Sequence, residues 1–291
     1  MKLGVSTSFQ HSTPQEWIKK HVDLGLKSIV FPLNCDSDIS DILEYSRMVA
    51  ENDMIIAEVG VWRNTLSADK KERNQMIEYA IRQLTLADSI HASCCVNVVG
   101  TPHGPRWDGG YAANFDNDTR KQIIEMIRTI IDEAKPENTK YSVEPMPWMV
   151  PTSPDDYLKL LEEVDRDEFG VHLDLINMVT SPERYFFLND FMDECLEKLG
   201  DKILSCHLKD IRLLDDYTFQ LRECACGEGI LDIPRFVSKL DSINPDLPLI
   251  IEHLNTDEEY VNSVKYVQGL LLHKLSKVYY INKELSGDKS L

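Results

Sequence analysis

Four short segments decide the fold: KYSVEP (140–145), GVHLDL (170–175), ILSCHL (203–208) and PLIIEHL (248–254). Each is rich in apolar residues, as expected of a buried strand, and each carries an acid or a histidine near its C-terminal end. These polar residues are Glu144, Asp174, His207 and Glu252. Their numbers differ by 30, 33 and 45, about the length of one strand-plus-helix unit, which predicts parallel strands whose ends meet at one mouth.

The rest of the chain continues this alternation of strands and helices. Further strand-like segments occur at 2–6, 28–32, 54–60 and 94–100. Stretches with helical periodicity occur at 14–24, 38–52, 67–91, 116–135, 154–164, 182–199, 233–243 and 257–276. Eight strands and eight helices predict an α/β protein with a (β/α)8 TIM barrel over 1–276 and a C-terminal extension over 277–291. An open doubly wound sheet is disfavoured because no phosphate-binding glycine fingerprint follows the first strand.

Three of the predicted helices start with the same signature, a hydroxyl residue followed by proline. The three pairs are Thr13-Pro14, Ser153-Pro154 and Ser181-Pro182. The hydroxyl group can cap the first turn, and proline suits the first helical position because the N–H that it lacks would have no partner there.

Composition and charge limit the partners and the compartment. The net charge of -18 disfavours nucleic acid and anionic membranes, because it repels phosphate groups. No apolar run has the length of a signal peptide or of a membrane span. The seven cysteines are odd in number and lack a disulfide framework spacing, so reduced thiols in the cytoplasm are expected.

A cluster of three carboxylates and one imidazole at the mouth predicts a metal site. Without a cation, buried carboxylates would repel one another and lose their hydration. Three oxygens and one nitrogen suit one divalent ion, Mn2+ first, with Mg2+, Co2+, Fe2+ or Zn2+ as alternatives. Strand alternation places Ser142, His172 and Ser205 one layer lower, where they could hydrogen-bond the ligands.

The same motifs resemble the xylose-isomerase-like TIM-barrel superfamily of sugar phosphate isomerases and epimerases, which also includes endonuclease IV. The matching features are VEP with Glu144, HLDLIN with Asp174, CHLKD with His207, Gly227-Glu228-Gly229 and IIEH with Glu252. The resemblance implies that these four residues bind one metal ion and that Glu144 and Glu252 are also the acid/base pair. It further implies isomerisation or epimerisation of a keto-sugar or polyol through a metal-bound enediolate.

Departures from the family pattern bear on the reaction. Epimerases of the family usually have a histidine at the position of Asn177, and an arginine at the position of Leu213, beside which this chain has Arg212. Asn177 can hydrogen-bond a sugar hydroxyl but cannot carry a proton. The xylose isomerase lysine is replaced by Met146, and endonuclease IV is disfavoured by the acidic surface and by the missing histidines.

Lys209, in HLKD, keeps a second reaction class open. A similar HLKD segment occurs in inosose dehydratases of the superfamily, so the resemblance makes Lys209 a candidate catalytic residue of a lyase. Such a lyase would be an inosose-type dehydratase or a C-glycoside deglycosidase acting on 3-keto glycosides. Alternatively, Lys209 pairs with Asp210 or Asp174 at the rim. A metal-free carbohydrate-binding barrel is a further alternative.

Residues in the loops at the mouth are the candidates for substrate binding. Aromatic faces stack on sugar rings or flat aglycones, and polar groups bind hydroxyls. The candidates are Trp62, His103, Trp107, Trp148, Asn177 and Arg212. We therefore expect a small carbohydrate as the substrate, and the acidic exterior is compatible with a homo-oligomer or a partner subunit without requiring either.

Overall fold

Eight parallel strands form a nearly closed barrel in the computed structural model, which describes the backbone of residues 1–286 and the side chains of residues 1–271. The barrel strands are β1 (Lys2–Val5), β2 (Ser28–Val30), β3 (Ile55–Gly60), β4 (Cys94–Asn97), β5 (Tyr141–Val143), β6 (Phe169–Asp174), β7 (Ile203–Leu208) and β10 (Pro248–Ile251). The strands β8 (Asp210–Leu213) and β9 (Leu221–Cys224) form a separate ribbon. Their hydrogen-bonded order is β1, β10, β7, β6, β5, β4, β3, β2. The predicted (β/α)8 TIM-barrel class is confirmed.

The first two strands bring the two edges of the sheet together. The Lys27 N–H donates to the Leu3 carbonyl oxygen at 2.8 Å, and Ser28 Oγ donates to the Lys2 carbonyl oxygen at 2.8 Å. Gly4 makes this approach possible, because a Cβ at that position would lie 2.5 Å from Ser28 Oγ. A glycine is therefore needed where β1 meets β2.

Helices follow the strands and cover the outside of the barrel. They are α1 (Pro14–Asp23), α2 (Ile39–Glu51), α3 (Lys70–Ser89), α4 (Asn117–Ala134), α5 (Pro154–Val164), α6 (Pro182–Phe186), α7 (Leu188–Leu199), α8 (Ile233–Ile243) and α9 (Asp257–Ser286). The caps predicted at Thr13, Ser153 and Ser181 are confirmed, because each hydroxyl accepts a hydrogen bond from the backbone three residues later. None of the helices in the described part of the chain is long and apolar enough to cross a bilayer.

Two helix predictions differ from the structure. The stretch 182–199 is two helices, because Phe187 leaves the helical conformation with φ -112° and ψ 39°. The last helix continues ten residues beyond the predicted end at 276. The predicted C-terminal extension, 277–291, lies outside the residues whose side chains are described, and 287–291 lie outside the described backbone as well.

Most of the hydrophobic core lies between the barrel and the helices. On α4, for example, Ile123, Ile127 and Ile130 recur at helical spacing and are fully buried. The inside of the barrel also contains buried polar residues, among them Glu58 and His172. Since buried polar groups need partners, these residues point to a site at the barrel axis.

An antiparallel ribbon that sequence reasoning did not predict follows the seventh barrel strand. It consists of β8 (Asp210–Leu213) and β9 (Leu221–Cys224), with Asp210 opposite Cys224 and Leu213 opposite Leu221. The ribbon begins two residues after β7 ends, and it brings Glu223 to the polar cluster described below.

Asp210 fixes the chain that follows this ribbon. Its Oδ1 accepts hydrogen bonds from the N–H groups of Ile211 at 2.8 Å and Leu231 at 3.0 Å, and its Oδ2 accepts from Gly227 at 3.1 Å and Gly229 at 2.9 Å. A Cβ on Gly229 would lie 2.2 Å from Asp210 Oδ1. A buried carboxylate that accepts four backbone hydrogen bonds thus organises residues 225–231.

We expect Asp210→Asn to lower the free energy of unfolding by about 2–4 kcal/mol, since the new amide turns one of the two acceptors into a donor that faces two N–H groups. Chemical denaturation would measure the change. The control is Asp216→Asn, on the exposed turn of the ribbon, which should stay within about 0.5 kcal/mol of wild type. Equal stability of the two variants would contradict this role of Asp210.

Candidate metal centre

Strand register brings the four predicted metal ligands together. Asp174 on β6 lies opposite His207 on β7, and His207 lies opposite Ile250 on β10, two residues before Glu252. Glu144 directly follows β5, and its N–H donates to the Asn97 carbonyl oxygen at 2.9 Å. All four side chains are buried, and one ligand atom from each lies within 4.8 Å of the others.

The distances in this cluster fit the donor set of a single divalent ion. His207 Nδ1 lies 3.0 Å from Glu252 Oε1, 3.2 Å from Glu144 Oε1 and 3.9 Å from Asp174 Oδ2. Donors about 2.1 Å from an ion are about 3.0 Å apart at right angles and about 4.2 Å apart when opposite. Asp174 Oδ2 is buried, and its contact with the Lys209 ammonium group lacks the geometry of a hydrogen bond. This oxygen can therefore accept a metal ion.

The ionisation of the cluster follows from burial and from mutual charge. Burial opposes ionisation of Glu252, but His207 and Lys209 hold its pKa well below the ordinary value. Burial raises the pKa of Asp174 well above its ordinary value, although Lys209 opposes this. Burial alone would lower the pKa of His207, yet the carboxylates of Glu252, Glu58 and Glu144 raise it well above the ordinary value.

Lys209 is part of the same cluster. The residue is buried, with 2% of its surface exposed. Its Nζ lies 2.6 Å from Asp174 Oδ2, 2.7 Å from Glu252 Oε1 and 3.2 Å from Glu223 Oε1. Of the two partners that the sequence suggested, the structure selects Asp174, because Asp210 is engaged by backbone N–H groups. The ammonium group therefore contacts two predicted metal ligands directly.

Glu58 on β3 is a buried acid of the site that sequence reasoning missed. Its Oε2 lies 3.3 Å from His207 Nε2, and its Oε1 accepts a hydrogen bond from Ser205 Oγ at 2.5 Å and lies 3.0 Å from His172 Nε2. A carboxylate beside Nε2 of His207 favours protonation of that nitrogen and leaves Nδ1 facing the cluster. The available signal was an acid within the apolar strand IIAEVG.

The layer beneath the cluster differs in part from the prediction. His172 and Ser205 support the site through Glu58 rather than by contacting the ligands themselves. Ser142 does not serve the ligands at all, because its hydroxyl donates to the Cys95 carbonyl oxygen at 3.3 Å. The physical reason is that Glu58 fills the space under His207 and attracts the available donors.

Asn177 orients one of the predicted ligands. Its side-chain nitrogen donates to Glu144 Oε1 at 3.0 Å, and its backbone N–H donates to Asp174 Oδ1 at 2.9 Å. The side chain is buried. Asn177 thus holds two neighbouring carboxylates in place, a role that the sequence had not suggested.

The other predicted substrate-binding residues lie on the surrounding loops and on the ribbon. Trp62 is 36% exposed and packs back on Gly60, where a Cβ would lie 1.9 Å from the indole nitrogen. Trp107 is half-buried and His103 is exposed in the loop after β4, while Arg212 is exposed on β8. Their binding roles stay predictions.

Trp148 joins two of the mouth loops. Its indole N–H donates to the Asp108 carbonyl oxygen at 2.7 Å, and its ring lies against Gly110. Asn114 donates to the carbonyl oxygens of both Gly109 and Trp148 at 3.0 Å. The loops after β4 and β5 therefore form one connected wall beside the cluster.

We expect Glu58→Gln to weaken Mn2+ binding about 10- to 100-fold, because one of its two acceptor atoms becomes a donor and the orientation of His207 is lost. Titration of free Mn2+ by electron paramagnetic resonance would give the dissociation constant. Glu162→Gln, on the exposed face of α5, is the matched control. An unchanged dissociation constant in Glu58→Gln would rule out the orienting role.

Solved structures share this fold at low sequence identity. A xylose isomerase-like TIM barrel protein from Mycobacterium smegmatis, solved in complex with magnesium, is 19% identical with a TM-score of 0.66, over 89% of each chain. The 3-keto-D-glucoside 4-epimerase YcjR from E. coli is 14% identical with a TM-score of 0.67, over 92% of this chain and 99% of that one. The probable 3-DHS dehydratase AsbF from Bacillus anthracis is 16% identical with a TM-score of 0.71, over 93% and 99%. At these identities the likeness shows the fold alone.

Family membership comes from the sequence itself. No curated protein matches the chain significantly. Residues 18–270 match the family described as xylose isomerase-like TIM barrel, which is most of the chain and agrees with the resemblance seen in its motifs. The chain therefore belongs to the xylose isomerase-like TIM-barrel family.

Proposed function

We propose that this protein is a divalent-metal-dependent sugar isomerase or epimerase that acts on a keto-sugar or polyol. The observation that carries the proposal is the buried cluster of Glu144, Asp174, His207 and Glu252, with ligand atoms within 4.8 Å of one another at the mouth of the barrel. Mn2+ is the first choice for the ion, because three oxygen donors and one nitrogen suit it.

In this proposal the cluster supplies both the metal site and the proton carriers. A bound divalent cation would polarise a substrate carbonyl and stabilise the negative charge that forms when a neighbouring carbon loses its proton. A carboxylate oxygen of Glu144 lies 3.2 Å from His207 Nδ1, and one of Glu252 lies 3.0 Å from it. One of the two, as the carboxylate, accepts the carbon-bound proton, and the other, protonated from solvent beforehand, returns a proton, which changes the configuration or moves the carbonyl.

The lowered pKa values of both glutamates support this assignment. Burial opposes their ionisation, but His207 lowers the pKa of each, so either one can be the carboxylate that accepts the proton. Asn177 holds Glu144 in position through its amide. The substrate would be contacted by Trp62, Trp107, Trp148, His103, Asn177 and Arg212, as the sequence predicted.

A lyase is the second candidate, and the position of Lys209 favours it. A buried ammonium 2.7 Å from Glu252 could give a proton to a departing hydroxyl after the carboxylate has taken the carbon-bound proton, so that water leaves. The fold is shared with a structure described as a dehydratase as well as with one described as an epimerase. Mass spectrometry of the products from keto-sugars, inososes and C-glycosides separates the two, since only elimination removes water or an aglycone.

Metal content tests the premise that both candidates share. Protein purified without chelator is expected to hold a divalent transition metal, or to bind about one equivalent of added Mn2+. Elemental analysis gives the first quantity and a binding titration gives the second. Less than about a tenth of an equivalent, with no Mn2+ binding, would favour the metal-free carbohydrate-binding barrel instead.

We expect Glu252→Gln to slow exchange of a substrate C–H with solvent deuterium by about 10²- to 10⁴-fold, because the amide cannot accept a proton. Proton NMR in D2O follows the exchange on the keto-sugar that the screen selects. The metal content of the variant is measured in parallel, and exposed Glu197→Gln on α7 is the control. Wild-type exchange in a metal-loaded variant would remove Glu252 from this role.

A further inference from the structure

We propose that Lys209 is a resident counter-cation that competes with the divalent ion for Asp174 and Glu252, and that Glu223 on the ribbon receives its ammonium group when the ion binds. The inference rests on the metal site proposed above. It concerns how the protein controls occupancy of that site, rather than the reaction.

The first support is the burial and contact geometry of the ammonium group. Lys209 Nζ lies 2.6 Å from Asp174 Oδ2 and 2.7 Å from Glu252 Oε1, and its side chain is 1% exposed. A buried lysine in contact with carboxylates compensates part of their negative charge. In the absence of an ion, Lys209 therefore stabilises the ionised forms of Asp174 and Glu252.

The second support is that lysine and ion would use the same oxygen atoms. Asp174 Oδ2 and Glu252 Oε1, which contact Lys209, are also the atoms that lie 3.9 and 3.0 Å from His207 Nδ1. An ion shared by these atoms would lie close to the ammonium group. Two positive charges at such short range in a buried site repel each other strongly. One of them has to move.

The third support is an alternative acceptor on the solvent side. Glu223 Oε1 lies 3.2 Å from Lys209 Nζ, and the other carboxylate oxygen of Glu223 lies 2.9 Å from His253 Nδ1. Glu223 is 38% exposed, so it lies between the buried cluster and solvent. Because the lysine side chain is flexible, the ammonium group can stay in contact with Glu223 while it moves away from Asp174 and Glu252. This gives the unpredicted ribbon a specific role.

Mn2+ titrations of four proteins test the competition: wild type, Lys209→Met, Glu223→Gln and the surface control Lys239→Met. We expect Lys209→Met to bind Mn2+ at least tenfold more tightly than wild type, a difference of about 1.4 kcal/mol. Glu223→Gln should bind several-fold more weakly, because the displaced ammonium group then meets a neutral amide instead of a carboxylate. Lys239→Met should match wild type, since its amine lies on the surface beside Asp193.

Each outcome of the titrations decides the matter. If wild type binds Mn2+ and Lys209→Met binds it equally or more weakly, the competition is refuted while the metal site stands. If neither protein binds, the metal site and the competition both fail. Binding by Lys209→Met alone supports the competition, because it means that the lysine excludes the ion.

A measurement on wild-type protein covers the case in which Lys209→Met does not fold. Amine acetylation followed by peptide mass spectrometry reports how accessible Lys209 is. We expect saturating Mn2+ to increase the labelling of Lys209 several-fold, while labelling of Lys239 stays constant. Labelling of Lys209 that is unchanged or decreased by Mn2+ would overturn the proposal.

Discussion

The mouth of the barrel depends on how four buried carboxylates are compensated. Glu58, Glu144, Asp174 and Glu252 are all buried, and a buried charge without a partner costs several kcal/mol. Lys209 and a protonated His207 offer two positive charges against four negative ones. A divalent ion bound through His207 Nδ1 would replace the proton on that nitrogen and would add positive charge where the carboxylates converge, which is why a metal ion is the simplest completion of the site.

The geometry of a parallel barrel creates this concentration of charge. Side chains of one parity face the axis, and the register of neighbouring strands decides which of them share a level. His207 lies opposite Asp174 on one side and Ile250 on the other, so Lys209 and Glu252, each two residues further along, emerge together one level higher. The contact between Lys209 and Glu252 is therefore a consequence of register.

Much of this arrangement could be predicted from the sequence. The four ligand candidates end strands at the spacing of strand-plus-helix units, which is sufficient to predict the barrel and the convergence of Glu144, Asp174, His207 and Glu252. Glu58 was missed because the one signal, an acid inside an apolar strand, does not tell which residues it meets in the folded barrel. Its importance appears only when β3 faces the neighbouring strands β6 and β7 across the barrel.

The ribbon was missed for a related reason. Residues 210–224 lie between the predicted strand at 203–208 and the predicted helix at 233–243, and they show no helical periodicity that would predict an element. The hydrogen bonds that define the ribbon are local, but its contribution to the site is not. Glu223 meets Lys209 and His253 only because the barrel brings the ends of β7 and β10 side by side.

In the function proposed above, the choice between epimerisation and elimination would depend on the residues that surround the four predicted metal ligands. The fold is shared with structures described as an epimerase and as a dehydratase, so the barrel alone does not select the reaction. Asn177 offers an amide that cannot transfer a proton, whereas Lys209 offers an ammonium group that can. An ammonium group in contact with Glu252 can protonate a leaving group, whereas one moved to Glu223 by the bound ion, as proposed above, would leave proton transfer to the two glutamates. The position of this lysine side chain in the ion-loaded protein would therefore decide between the two proposed reactions.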